Sequence, residues 1–149
     1  MTVATAKPIL VGGQWVQASS VEPVRNPYSN DVLAMVCQAE PEHIHQVTEA
    51  AKRVSTECAT IPAHIRAKAL HHIASGLSTR REEFASTICQ EAGKPITDAR
   101  REVDRAIQTF RLAAEESTRI PGEILPMDLT PGGEAYSGSV KRFPIGTVL

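Results

Sequence analysis

The feature that most constrains this chain is a change of hydrophobic period near residue 41. Up to Val36 the apolar residues come in short runs broken by Gly-Gly and Asn-Pro. From Pro41 onward they recur at three- and four-residue steps, the spacing that gathers them on one face of an α-helix. Ile44, Val47, Ala51 and Val54 mark a first helix, opened by Pro41 and stopped by Pro62. Ile65, Ala69, Ile73 and Leu77 mark the buried face of a second. Ser78 and Thr79 are placed to cap a third, with Thr79-Arg-Arg-Glu82 at capping-box spacing. Its buried face is Phe84, Ile88 and Ala92, and Gly93 is expected as a left-handed C-cap ahead of Pro95. The fourth and longest helix is expected from about Pro95 to Arg119, with Ile96, Ala99, Val103, Ala106, Phe110 and Ala113 as its stripe. Pro121-Gly122 stops it.

Strand-like segments flank the helices. Ile9-Leu-Val11, Gly12-Gly13 and Trp15-Val16 read as a short hairpin, because Gly-Gly supplies the positive φ angles of a tight turn. Asn26-Pro27 breaks the chain and Asn30-Asp31 offers a turn. Val32-Leu-Ala-Met-Val36 is nearly continuous in apolar residues, as a strand buried on both faces would be. After the helices, Glu123-Ile-Leu125 and Ser137 to Phe143 read as strands on either side of the polar Thr130-Pro-Gly-Gly-Glu134. The run Pro144 to Leu149 is apolar and strand-like to its last residue, which predicts a chain cut from something longer.

A length of 149 residues suits one domain with its own core. Apolar residues at 42% and charged residues at 22% are ordinary for a soluble globular chain. The net charge of -1, with Lys and Arg interspersed among Asp and Glu, argues against a surface that tracks nucleic-acid phosphates. No segment approaches the roughly 20 apolar residues of a membrane helix, and the amino terminus lacks the pattern of a signal peptide. Three cysteines, odd in number and widely spaced, predict a reduced, cytoplasmic chain rather than a disulfide framework.

Candidate chemistry is sparse. Cys37 ends an apolar strand, Cys58 lies near a helix end and Cys89 within a helix, so all three read as buried or half-buried packing thiols and not as nucleophiles. His43 and His45, or His71 and His72, cannot share a helix face, and no metal site is expected. Glu91-Ala-Gly-Lys-Pro95 has Gly-Lys but neither the earlier glycine nor the following Ser or Thr of a phosphate loop. Gly132, Gly133 and Gly138 do not form the fingerprint that opens a dinucleotide-binding helix. Arg101-Glu-Val-Asp-Arg105 reads, on periodicity alone, as a solvated face with pairs such as Asp104 and Gln108.

Taken in order, Gly12-Gly-Gln-Trp-Val16, Arg25-Asn-Pro-Tyr28, Glu91-Ala-Gly-Lys-Pro95, Glu102-Val-Asp-Arg-Ala106, Arg111-x-Ala-Ala-Glu-Glu116, Gly122-Glu-x-Leu-Pro126 and Pro144-x-Gly146 resemble the aldehyde dehydrogenase superfamily. The resemblance covers the chain from residue 9 onward. In wording it is nearest to the lactaldehyde and non-phosphorylating glyceraldehyde-3-phosphate dehydrogenase branch. It implies an α/β fold, with a Rossmann-type N-terminal domain of which residues 1–149 are a part. Within that part, residues 9–36 would be strands, 41–119 four helices, 122–143 an oligomerisation hairpin reaching a neighbouring subunit, and 145–149 the start of the nucleotide-binding sheet.

The resemblance also implies a reaction. In the family a cysteine attacks the aldehyde, hydride passes to NAD or NADP, and activated water releases the acid. The family's nucleophilic Cys, general-base Glu, oxyanion Asn, nucleotide-touching Lys and Gly-rich turn match nothing here. No catalytic, cofactor-binding or metal residue is therefore assigned, and the fragment is expected to be inactive and to bind no cofactor by itself. It is also expected to be poorly soluble or oligomeric, because its strand edges lack a cover. One substrate residue is assigned through the resemblance. Arg105, counted back from Gly122, falls at a channel position, where a cation suits small polar or anionic aldehydes. The alternative expectation is a non-enzymatic helical module that pairs through 122–143. Solvent-facing Val148 and Leu149, with no parallel sheet to extend, would count against the family.

Overall fold

The computed structural model describes residues 6–148. Leu149 and the first five residues lie outside it. Among the described residues, six strands and four helices follow in the order β1 (Ile9–Val11), β2 (Gln14–Val16), β3 (Val21–Arg25), β4 (Val32–Cys37), α1 (Pro41–Thr60), α2 (Ala63–Thr79), α3 (Arg81–Ala92), α4 (Ile96–Glu116), β5 (Glu123–Pro126) and β6 (Ser137–Val140). The strands form three separate antiparallel pairs, β1 with β2, β3 with β4 and β5 with β6.

The first pair closes as expected, with Val11 opposite Gln14 and positive φ at both Gly12 (55°) and Gly13 (87°). That is the type I′ geometry that suits the right-handed twist of a two-stranded ribbon. Between β3 and β4 the Asn26 side chain accepts hydrogen bonds from the Tyr28 and Ser29 amides, and Asn30 takes φ 62°. The segment near Lys7 forms a parallel bridge to Val36 on β4. β4 departs from the expectation of a strand buried on both faces: Val32 and Leu33 are exposed, and burial begins only toward Cys37. Its partner β3 carries Pro23, a residue found on edge strands because it cannot donate to a ladder.

α2 and α3 both pack on α4. The core cluster is Ala85 from α3 with Ala99, Val103 and Ile107 from α4, and Leu77, Phe84, Ile88, Cys89 and Ile96 pack against it half-buried. Ala85 and Ala99 are fully buried, so little side-chain bulk separates these two helices. The apolar face of α2 is turned from the one expected. Ala74 is buried and Leu70 and Leu77 half-buried, whereas Ile65, Ala69 and Ile73 lie exposed. Ile65 and Ile73 are as apolar as Leu70, so periodicity alone does not choose between the adjacent stripes.

The junction of α2 and α3 also differs from expectation. Ser78 and Thr79 remain inside α2, and Arg80 ends one helix and starts the next with no side-chain cap. Its guanidinium hydrogen-bonds Glu83 and lies over the Phe84 ring, 4.9 Å from the centroid. Gly93 does close α3 at φ 65°. α1 has no buried residue, and its stripe of Ile44, Val47 and Val54 is exposed.

β5 and β6 pair as expected, with Glu123 opposite Val140 and Pro126 opposite Ser137. The expected strand at 145–149 does not form among the described residues, because a strand needs a partner ladder and none lies beside 145–148. Val148 is 72% exposed.

Candidate functional site

α4 divides its side chains between a core and an open groove. Val103 faces inward at 3% exposure. Arg105, two residues on, lies about 200° round the helix and points away from that core. Asp98, Arg101, Glu102 and Arg105 follow the i, i+3, i+4, i+7 rule, so they line one stripe, and Lys94 joins them from the turn before the helix. Lys94 Nζ sits 2.6 Å from Glu102 Oε2, and Arg101 Nη1 3.3 Å from Asp98 Oδ1. The hydrogen bond and charge of Lys94 hold the Glu102 carboxyl below its ordinary value, and Arg105 adds to the effect. Arg105 itself is exposed, and among the described residues it forms no ion pair. The groove thus offers one guanidinium whose donors are free for an anion.

Asp104 corrects the reading of this stretch as a wholly solvated face. It does not pair with Gln108 but crosses to α3, where Arg81 Nε and Nη2 donate to its two oxygens at 2.7 and 2.8 Å. The hydrogen bonds from Arg81 lower the Asp104 carboxyl and, reciprocally, raise the Arg81 guanidinium. Glu82 accepts from both Arg100 and Arg81, and Arg100 is the larger cause of its lowered value. The Arg100–Glu82 and Arg81–Asp104 pairs join residues 18 and 23 apart in sequence. No local pattern announces them.

Of the remaining candidates, Cys37, Cys89 and His43 make structural contacts. Cys37 is buried, accepts from the Ala18 amide and donates its thiol to Gln17 Oε1 at 3.2 Å. Cys89 is half-buried beside the core. Cys58 departs from the packing role expected of it: it is exposed, on a shallow groove shared with Val54, Ala59 and Pro144. His43 Nδ1 accepts the Glu40 amide proton at the start of α1, and the Glu40 carboxylate accepts from the Ser19 hydroxyl. This cap escaped the sequence reading because Glu-x-x-His is not the usual Ser-x-x-Glu box. Arg66 donates to the carbonyls of Ile61 and Ser117, tying the start of α2 to the end of α4.

Among the described residues no glycine opens a helix. The pyrophosphate of a Rossmann-type site lies where glycines open a helix N-terminus, whereas the N-caps of α1 to α4 are Glu40, Pro62, Arg80 and Pro95. Gly12 and Gly13 form a hairpin turn and Gly93 a helix end.

A sequence model of the aldehyde dehydrogenase family matches residues 15–149. Aspartate-semialdehyde dehydrogenase 1 of Pseudomonas canavaninivorans is 33% identical over 132 residues, which cover 87% of this chain and 28% of that protein. The crystal structure of aldehyde dehydrogenase 21 from Physcomitrella patens, in complex with the reaction product succinate, superposes with a TM-score of 0.87 at 40% identity, over 94% of this chain and 29% of that one. NADP-dependent glyceraldehyde-3-phosphate dehydrogenase from Bacillus halodurans, complexed with NADP, superposes with a TM-score of 0.80 at 28% identity, over 87% of this chain and 28% of that one. The chain therefore spans less than a third of the length of the relatives it matches. Val148 faces solvent and no parallel sheet is present among the described residues, the outcome set out above as counting against the family. That criterion fails as a test, since an apolar strand without a ladder partner is exposed whatever family it belongs to. The match over most of the sequence decides the matter, and this chain belongs to the aldehyde dehydrogenase family.

Proposed function

We propose that this chain supplies one wall of the substrate channel in an NAD- or NADP-dependent aldehyde dehydrogenase, which oxidises a small polar or anionic aldehyde to the carboxylic acid. The observation that carries this reading is Arg105, an exposed guanidinium without an ion-pair partner among the described residues, on a helix whose other face is locked into the core. Aspartate semialdehyde, succinate and glyceraldehyde 3-phosphate, named with the three relatives above, each carry an acidic group apart from the reacting carbon. The nucleotide, the reactive thiol and the general base belong to other parts of the enzyme, which works in the cytoplasm. By itself the 149-residue chain turns over no aldehyde. Residues 122–143 join it to a neighbouring subunit, in keeping with the exposure of Ile124, Leu129 and Tyr136, and 145–149 begin the nucleotide-binding sheet once a partner strand is present.

Arg105→Met in a full-length enzyme carrying this segment tests the reading. A charge-assisted hydrogen bond contributes about 1.5–3 kcal/mol, so kcat/KM for anionic aldehydes should fall roughly ten- to a hundredfold. Neutral aldehydes of equal length should be little affected. Equal losses for both would remove Arg105 from the substrate site.

A further inference from the structure

We infer, resting on Arg105 as the substrate contact, that Asp98 and Glu102 tune the groove to aldehydes bearing one negative charge, a carboxylate, in preference to those bearing a phosphate dianion. Three cations line the groove, Lys94, Arg101 and Arg105, with two carboxylates among them. Each carboxylate is tied to one cation: Glu102 to Lys94 at 2.6 Å and Asp98 to Arg101 at 3.3 Å. What remains is a single uncompensated guanidinium, whose paired donors match the two oxygens of one carboxylate.

A phosphate dianion asks for a second cation. Drawing Lys94 or Arg101 toward it would break an existing ion pair and leave Glu102 or Asp98 facing two negative charges. Coulomb energy scales with the product of the charges, so that repulsion falls twice as heavily on the dianion as on a carboxylate. Glu102 and Asp98 are positioning residues in this scheme: they never touch the substrate but decide how many cations can.

The test uses the isotope-labelled 149-residue chain and two small probes, propionate and glycerol 3-phosphate. At about pH 8 the phosphate monoester is a dianion. The Arg105 side-chain carbon resonances, which do not exchange with water, report the affinity of each probe by titration. In the unaltered chain Arg105 should respond to both probes. Glu102→Gln, and separately Asp98→Asn, should raise the affinity for glycerol 3-phosphate relative to propionate by about three- to fivefold, the effect of one freed charge at several ångströms in water. Glu102→Asp keeps the charge and should leave the ratio near that of the unaltered chain. A ratio that both neutral variants leave unchanged, while Arg105 still responds, overturns this inference and spares the reading of Arg105. No response of Arg105 to either probe, in any variant, overturns this inference, and the Arg105→Met kinetics in the full-length enzyme decide the reading of Arg105 separately.

Discussion

Asp104 lies in the middle of the charged stretch of α4, yet its carboxylate belongs to the joint between two helices. Because both oxygens accept from Arg81, its pKa is lowered in the folded chain. The sign of the consequence is fixed. A carboxylate lowered on folding adds stability at every pH above its unfolded value, and that stability is lost as pH falls through the lowered folded value. Asp104→Asn should therefore melt below the unaltered chain at neutral pH, and the gap should close as the solution is taken below about pH 4. Melting curves across that range check it; a gap that stays constant from neutral to acid would show that the carboxylate's charge is not what matters. Residue roles such as this one are poorly legible in sequence. Arg81 and Asp104 are 23 positions apart, and only the packing of α3 on α4 brings them together. Arg105 was picked out through family resemblance, whereas its lack of an ion pair is visible only in the structure. The apolar helix pattern around Cys58 predicts packing, and it is exposed because nothing among the described residues fills the groove beside it.

Elements were more legible than residues wherever backbone geometry leaves little choice. Gly12-Gly13 and Gly93 dictate a hairpin turn and a helix end, since few other residues accept their φ angles. The faces of α1 and α2 were less legible, because periodicity marks an apolar stripe without saying what lies opposite. β3 was missed as a separate strand, its Pro23 and flanking charges hiding any alternation. The loop joining β5 to β6 read as irregular, yet it is closely built. Pro131 and Gly132 occupy the centre of a turn closed by the Gly133 amide on the Thr130 carbonyl at 3.1 Å, and Gly132 has φ 94°. Pro followed by a glycine at positive φ is the pattern of a type II turn. A Cβ on Gly133 would fall 1.8 Å from the Met127 carbonyl oxygen, too near for a flexible side chain to relieve. Gly133→Ala should accordingly break the β5–β6 pairing, seen as faster amide exchange around Ile124 and Ser139, with exchange in α2 to α4 unaltered. Unchanged protection in the hairpin would mean that the loop tolerates the displacement.

At the scale of the whole molecule, the described residues form a small alanine-rich helical core with three hairpins around it and long apolar side chains outside it. Ile44, Val47 and Val54 on α1, Ile65 and Ile73 on α2, and Ile124, Leu129, Phe143 and Ile145 near the carboxyl end are all exposed. Surfaces of this kind suit association with further protein rather than with water. The fold class was legible because the order of motifs matched a known family. The strand expected at 145–149 was misjudged, because residues 145–148 have no ladder partner among the described residues. No helix of the described residues is long and apolar enough to cross a membrane. We propose that this chain is the scaffold of a substrate pocket whose reactive thiol and nucleotide seat lie in other parts of the enzyme. The most direct measurement is the formation of NADH or NADPH when the purified chain is mixed with either nucleotide and an anionic aldehyde such as succinate semialdehyde. The account predicts none above the rate without protein, and saturable turnover in proportion to the chain would contradict it.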